Sequence, residues 1–377
     1  NGDLISNAEI YHTPVTSATE NSMISINVNI QLTYPWFLGT ADCYYRINAD
    51  TNWLPLTMIQ SGINYTTQIP SQSAGNIIAY YIALKDSYGF QSGITPFSAN
   101  KSPLRFANVP NFILVGYEKK LEEDFEFGLD NGWEDSHILD NATTGQWEVG
   151  VPVGSYMTPG DANTIVQTAD QHTIGGNKCA YTGNVFDANG NPDTEAGIGT
   201  NDVDDGHTTL TSEYYFMTDY TDPAFSYWRW FTNNSGAEPN ADWWQVSITD
   251  DGTNWVVVEN NLTSDNSWRR FVFRAKDYID ISSDQVRIRF VASDSANGAL
   301  SGGSLVEAAV DDVYLWDIAS ITEVSDLNSA NRLLKLVRIT DVLGREVEPN
   351  NIDKERTLFY IFDDGSVEKR IVVQGYR

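Results

Sequence analysis

The sequence predicts an all-β protein built as two successive sandwiches, the second the larger, followed by a small C-terminal β module. Three observations carry that expectation. Short alternating or apolar runs rich in Val, Ile, Thr, Tyr and Trp recur between clusters of Gly, Asn, Asp and Pro, and helical periodicity is hard to find. Aromatic residues make up 12% of the 377, with 11 Trp, which is too much large apolar surface for a disordered acidic chain. At roughly 100–200 residues per domain the length suits two or three domains, and turn punctuation places them at 1–116, 117–320 and 321–377.

In the first segment, residues 23–33 alternate, with Ile24, Ile26, Val28 and Ile30 on one face and Ser25, Asn27, Asn29 and Gln31 on the other. Further strands read at 42–47, 53–58, 65–69 and 77–84, and 112–115 closes the segment just after Pro110. Six or seven strands at this spacing suggest an immunoglobulin-like or fibronectin-like sandwich. The phrases Ile10-Tyr11-His12-Thr13-Pro14 and 80–86 followed by Gly89 resemble Ig-like modules appended to bacterial secreted enzymes.

The second segment reads as strands at 208–216, 224–232, 243–249, 255–259, 268–274, 286–292 and 306–316. Asp251-Gly252 predicts a hairpin that pairs 245–249 with 255–258. With long polar loops at 157–206 and 293–304, this pattern suggests a jelly-roll sandwich. Several phrases sharpen it: Asp124-Phe125-Glu126 with Gly132-Trp133, Thr144-Gly145-Gln146-Trp147-Glu148, Asp202-Val203-Asp204-Asp205-Gly206, and Val306-Glu307-Ala308-Ala309-Val310-Asp311-Asp312-Val313. Together they resemble non-catalytic modules C-terminal to the catalytic domains of bacterial secreted metallopeptidases, distantly similar to MAM and carbohydrate-binding sandwiches.

The third segment differs in charge. Residues 331–377 carry nine Lys/Arg and eight Asp/Glu, so the whole acidic excess behind the net charge of −28 belongs to the residues before them. Three strands are expected here, with Asp364-Gly365 turning the last two into a hairpin. Leu343-Gly344-Arg345 and Asp363-Asp364-Gly365 resemble the C-terminal sorting domain of the type IX (Por) secretion system of Bacteroidota-type bacteria. That resemblance implies contact with the type IX secretion machinery, and an extracellular or outer-membrane-surface location. The tail is shorter than many such domains. Asn1-Gly2-Asp3 carries no signal-peptide pattern, so a processed product or a piece of something longer is expected.

Charge and composition exclude several partners. An excess of 51 Asp+Glu over 23 Lys+Arg argues against nucleic acid and against anionic lipid surfaces. No run of about 18 apolar residues suggests membrane insertion. Cys43 and Cys179 are too few for a disulfide framework or a thiolate metal site and are expected to be free thiols. Four dispersed histidines without a His-Glu-x-x-His helix, and no Gly-x-Ser-x-Gly elbow, leave no recognisable hydrolytic centre. A glycosidase carboxylate pair stays open, because acidic residues are everywhere.

Calcium is the expected cofactor, in a structural role. Asp202, Asp204 and Asp205 share a tight loop, and Asp124 and Glu126 stand two apart, as on one face of a strand. Residues 305–316 read as a central strand with two apolar faces, Asp311 on one and Asp312 on the other. Carboxylates there are costly unless paired or metal-bound. Related sandwiches place an ion where first and last strands run side by side, which would bring Asp124 and Glu126 near Asp311 and Asp312; arginine pairing through Arg229, Arg287 or Arg289 is the rival reading. For a ligand, Trp228, Trp230, Arg229, Trp243 and Trp244 offer flat or charged surface for a glycan or a protein partner, unless they simply fill a core. The expected function is a secreted or cell-surface, non-catalytic binding or adhesion module, with a polysaccharide-hydrolysing jelly roll or a filament subunit as alternatives.

Overall fold

Ten strands build the first sandwich: β1 (Glu9–Tyr11), β2 (Ser17–Ala18), β3 (Ile24–Gln31), β4 (Leu38–Ile47), β5 (Leu54–Thr57), β6 (Ile59–Ser61), β7 (Asn64–Ile69), β8 (Ile77–Asp86), β9 (Gln91–Thr95) and β10 (Asn111–Val115). One sheet runs β1-β3-β7-β6 and the other β2-β10-β8-β4-β5, with β9 added to β8. The alternation read in β3 places Ile24, Ile26, Val28 and Ile30 in the core, against Cys43 and Tyr45 of β4 and Ile78, Tyr80 and Ile82 of β8. Tyr80 is fully buried, and its hydroxyl finds partners in His12 Nε2 at 2.8 Å and the Val15 N–H at 2.9 Å. That satisfies a polar group which would otherwise be costly in an apolar interior. This computed structural model describes residues 8–96, 109–129, 132–158, 161, 164–184, 189, 193, 199–262, 265–294, 303–318, 336–343, 345–347, 356–362 and 367–372.

The chain passes directly from β10 into the second sandwich through Gly116. Its φ of +68° is left-handed, and a Cβ there would lie 2.6 Å from the Ala74 side chain, so the tight junction requires glycine. The second sandwich comprises β11 (Tyr117–Glu123), β12 (Glu148–Gly150), β13 (Cys179–Tyr181), β14 (His207–Thr211), β15 (Ala224–Thr232), β16 (Trp243–Thr249), β17 (Val256–Asn261), β18 (Asp265–Arg274), β19 (Arg287–Ser293) and β20 (Glu307–Ile318). Its larger sheet runs β12-β13-β20-β15-β18, with β11 also paired to β20, and its smaller sheet runs β14-β19-β16-β17. The Asp251-Gly252 turn joins β16 and β17 as antiparallel partners. Asp251 holds that turn by accepting the N–H groups of Asn254 and Thr253, and these bonds keep its carboxyl well below the usual range. The expected strand at 208–216 is shorter, ending at Thr211; Tyr215 meets Val286 only as a single bridge.

Aromatic rings fill the second core, where Trp244 lies among Trp147, Phe231 and Phe290. The two sandwiches share a further apolar cluster, in which Ile77, Ala79 and Phe112 of the first meet Ala224, Phe271 and Val272 of the second. Arg270 ties the seam by donating from Nη1 to the carbonyls of Phe112 and Thr16, at 3.2 and 3.3 Å. The contacts accordingly divide the chain into 1–319, holding both sandwiches, and 320–377. Both cysteines are free and buried.

The C-terminal unit contains β21 (Leu336–Asp341), β22 (Arg356–Phe362) and β23 (Val367–Val372) in an antiparallel sheet of that order. Ile339 and Leu358 are its buried apolar residues. Asp341 organises the turn after β21: it accepts the N–H groups of Leu343 and Arg345 and pairs with the Arg345 guanidinium. Gly344, Asp364 and Gly365 lie outside the described residues.

Candidate functional site

The site begins with an irregularity in β20. Opposite Ser226 and Trp228 of β15 stand Tyr314 and Asp311, so β20 carries one extra residue at this point. Asp312 takes a left-handed φ of +48°. Such a bulge breaks strict alternation, and it corrects the sequence reading of the two faces. Ala308 and Val310 face the core before the bulge and Val313 and Leu315 after it, which leaves Asp311 and Asp312 together outside the core. A second correction concerns Asp124 and Glu126. They do not share a strand face, because β11 ends at Glu123 and Phe125 turns with φ +56°.

These carboxylates grip one loop. Asp311 Oδ2 accepts the N–H groups of His172 and Thr173, at 2.7 and 3.1 Å. Asp312 accepts from Tyr314 Oη at 2.6 Å and lies 2.6 Å from His172 Nδ1, while the Thr173 hydroxyl is 2.9 Å from its other side. At the far end of the loop, Glu126 Oε1 accepts the N–H groups of Asn177 and Lys178, both at 2.8 Å. A side chain at Gly176 would overlap that carboxylate, so the close approach needs glycine. Glu126 and Asp311–Asp312 therefore anchor opposite ends of the same segment.

The donors around the two aspartates decide their ionisation. Burial pushes the Asp311 carboxyl up to about 7, against the backbone bonds that favour its charge. Burial also pushes Asp312 up, but hydrogen bonds from His172, Tyr314 and Thr173 outweigh it and hold this carboxyl below its ordinary value. The arginines do not pair with them. Arg229 pairs with Glu259, Arg287 with Glu134, and Arg289 lies over the Trp255 ring.

Fixing the loop builds an aromatic ledge. The His172 ring stacks on Trp228 with centroids 3.7 Å apart and planes at 19°, and Trp268 meets His172 edge-on at 6.0 Å. Trp228 and Trp268 are half-buried. Trp268 Nε1 donates to the Asp170 carbonyl at 3.0 Å, which sets the orientation of its ring. Of the sequence candidates only Trp228 belongs to this ledge. Trp243 is half-buried on the other sheet, and Trp230 is covered, its Nε1 donating to the Val166 carbonyl. Arg229 and Trp244 are 0% exposed: both meet Glu259 inside the sandwich, which removes them from any surface platform. An inward Arg cannot be told from an outward one by residue type; β15 alternates, and Arg229 falls on the core side with Phe225, Tyr227 and Phe231. His172 and Thr173 were not expected, because loop residues carry no periodicity, and Trp268 was legible only as the start of a strand.

A second acidic cluster gathers around Asp202, Asp204 and Asp205. Val203 bridges Val306, and Asp294 Oδ2 accepts the Asp205 N–H at 3.2 Å. Asp242, 2% exposed, accepts the N–H and hydroxyl of Ser304 and shares a hydrogen bond with Asp294. Burial, then the neighbouring Asp204, raises Asp202 to about 7; burial, then Asp242, raises Asp294 to about 8. Nearby Glu307 is enclosed by Thr182, Gln167 and Ser155, and burial lifts its carboxyl well above the ordinary value. Among the described residues no three His, Cys, Asp or Glu side chains stand together as an ion-holding group. The clamp's oxygens face N–H and O–H donors, a poor fit to a cation. In the second cluster the carboxylates stand in pairs, Asp202 beside Asp204 and Asp242 beside Asp294.

No family model matches the chain, and no curated protein matches it. Among solved structures it is similar to a cycloalternan-forming enzyme from Listeria monocytogenes in complex with a pentasaccharide substrate, at 11% identity and a TM-score of 0.21, covering 80% of this chain and 31% of that one. It is also similar to Salmonella alpha-2-macroglobulin reacted with methylamine, at 5% identity and a TM-score of 0.19, covering 99% of this chain and 18% of that one. The chain thus spans under a third of either protein, and likeness this slight carries no argument about function.

Proposed function

We propose that this chain is a secreted or cell-surface, non-catalytic binding and adhesion module, serving as accessory region to a larger extracellular protein. The observation that carries the reading is the ledge of Trp228, His172 and Trp268, half-exposed rings held in place by backbone and carboxylate hydrogen bonds. Flat rings fixed in this way present an apolar face to the C–H face of a sugar, or to an apolar protein side chain, with little ordering cost on binding. Export through a type IX system rests on the resemblance of the C-terminal unit, where Leu343 and Arg345 sit on the Asp341-organised turn.

Calcium belongs to the same reading in a structural role. The paired Asp202 and Asp204, completed by backbone carbonyls, would hold it, and the ion would neutralise carboxylates that burial otherwise drives towards protonation. The test is a glycan array run beside a hydrolysis assay on the same sugars. Binding lost in Trp228→Ala without turnover supports the module. Turnover abolished by changing one carboxylate would replace it with a hydrolase, and an absence of any glycan or protein ligand would sink it.

A further inference from the structure

A cleft of about 410 Å³ opens along the seam between the two sandwiches, between the outer face of β4 and β8 and the edge strand β18. Phe112, Phe271 and Tyr278 form part of its wall, and Arg46 of β4 reaches into it. Its volume falls in the range of small-molecule sites, about 300–1,000 Å³.

Arg46 is the unusual member. Its guanidinium lies over the Trp53 ring at 4.7 Å, and Nε is shielded from water with no acceptor. Among the described residues none takes a hydrogen bond or an ion pair from it. The acidic groups nearby are otherwise engaged. Asp277 is held by Arg274 through two hydrogen bonds at 2.8 and 3.0 Å, and Asp50 accepts the Asn52 N–H. Asp50 acts on Arg46 through its charge alone, with no hydrogen bond between them; a guanidinium partly withdrawn from water and without a hydrogen-bonded anion is an arrangement that a carboxylate completes, through paired charge-assisted bonds.

From Arg46 a row of rings continues over the outer face of the first sandwich. Trp53 meets Tyr81 edge-on at 4.8 Å, and Tyr81 stacks on Tyr44 at 4.8 Å with planes 7° apart. Lys85 closes the row, with Nζ 2.6 Å from the Tyr44 hydroxyl and lying over that ring. The order is cation, three half-exposed rings, cation. The rings stack on one another and lie beneath the cations, so they line the row with apolar and hydroxyl-bearing edges; Lys85 already lies 3.8 Å from the Asp42 carboxylate, which leaves Arg46 as the cation suited to a ligand carboxylate. A single-stranded nucleic acid would use similar parts, but the net charge of −28 opposes a polyphosphate far more than a ligand with a few carboxylates.

We propose that this cleft and the row beyond it bind an acidic glycan, with Arg46 taking the carboxylate of a uronic-acid residue and Trp53, Tyr81 and Tyr44 supporting the sugars that follow. The inference rests on the reading of the chain as a binding module and names a second site and a ligand class for it.

The test is calorimetry of the full chain with a galacturonate tetramer, its fully methyl-esterified counterpart, a neutral glucose tetramer and a single-stranded DNA of similar length. The acid is expected to bind, and the ester at least 10-fold more weakly. Arg46→Gln should weaken acid binding about 10- to 100-fold, Tyr81→Ala should weaken it too, and Arg46→Lys should retain part of the affinity, with circular dichroism confirming that each variant is folded. Equal affinity for acid and ester, full affinity in folded Arg46→Gln, or a preference for the DNA would each overturn the assignment. A chain that binds neutral glycan on the Trp228 ledge yet ignores the uronate loses this inference and keeps the module reading; one that binds none of the array or the tetramers loses both.

Discussion

Replacing Glu259 by Gln should cost the protein about 3–5 kcal/mol, because it leaves a buried guanidinium without a counter-charge. Arg229 is 0% exposed and Glu259 6%. Arg229 Nε donates to Glu259 Oε1 at 2.9 Å; Nη2 lies 2.8 Å from the same oxygen but is poorly aimed for a hydrogen bond, and Nη1 finds no acceptor. Tyr227 Oη and Trp244 Nε1 converge on Oε2 at 2.7 and 3.0 Å. Glutamine preserves shape, but its amide nitrogen replaces one of the two accepting oxygens, so the loss combines the missing charge with donors left facing an N–H group. At roughly 2–4 °C per kcal/mol for a sandwich of this size, the melting temperature should fall by about 10 °C. Urea unfolding followed by tryptophan fluorescence reads the free energy directly, since urea does not screen charge. The double variant Arg229→Met/Glu259→Leu should recover part of the loss, because apolar residues of similar volume avoid the desolvation of both ions but leave Tyr227 Oη and Trp244 Nε1 without their acceptor. A loss under about 1 kcal/mol in Glu259→Gln, or a double variant no better than the single one, would refute the reasoning and reopen Arg229 as a surface group.

Three further outcomes follow from the same geometry. Asp202 and Asp311 have folded values raised to about 7, so their stabilisation is complete below the ordinary carboxylate value near 4 and is lost as pH rises through 7. Each rise corresponds to at most about 4 kcal/mol; in chelator the melting temperature should fall between pH 5 and 8, and added calcium should reverse the part due to Asp202, whereas a rise in melting temperature over that window would contradict the burial. Gly183→Ala should destabilise by about 2 kcal/mol or more, since φ is +80° and the new methyl would overlap the enclosed Glu307 carboxyl; a neutral result in thermal unfolding would show that the carboxyl can move. Thr173→Val should loosen the 172–178 loop by removing the hydroxyl between Asp311 and Asp312, and hydrogen exchange at His172 and Lys178 should rise several-fold; unchanged protection would mean the backbone bonds suffice.

What could be read early was whatever repeats with a fixed period. The Ile24–Ile30 alternation, the limits of β15 and β16 and the hairpin at Asp251-Gly252 all follow from residue order and turn chemistry. The acidic character of β20 was legible as well, because three carboxylates in an apolar run stand out. Their direction was not, since the extra residue at Asp311–Asp312 shifts the phase of everything after it. Asp242 and Asp294 escaped notice for a different reason: in a chain with 51 acidic residues, no single Asp is informative until folding places two side by side.

By itself, then, the sequence determined the β class, the order of strands and the acidity, because local pattern and composition are properties of the chain. The tertiary structure alone decided which groups meet. Arg229 went to the core because Glu259 of a strand in the opposite sheet is there to receive it. His172 reached Trp228 because Asp311 and Asp312, about 140 residues distant, hold its loop in place. Arg46 was left without an acceptor only where two sandwiches closed around it. Such pairings depend on long-range packing, and no spacing along the chain encodes them.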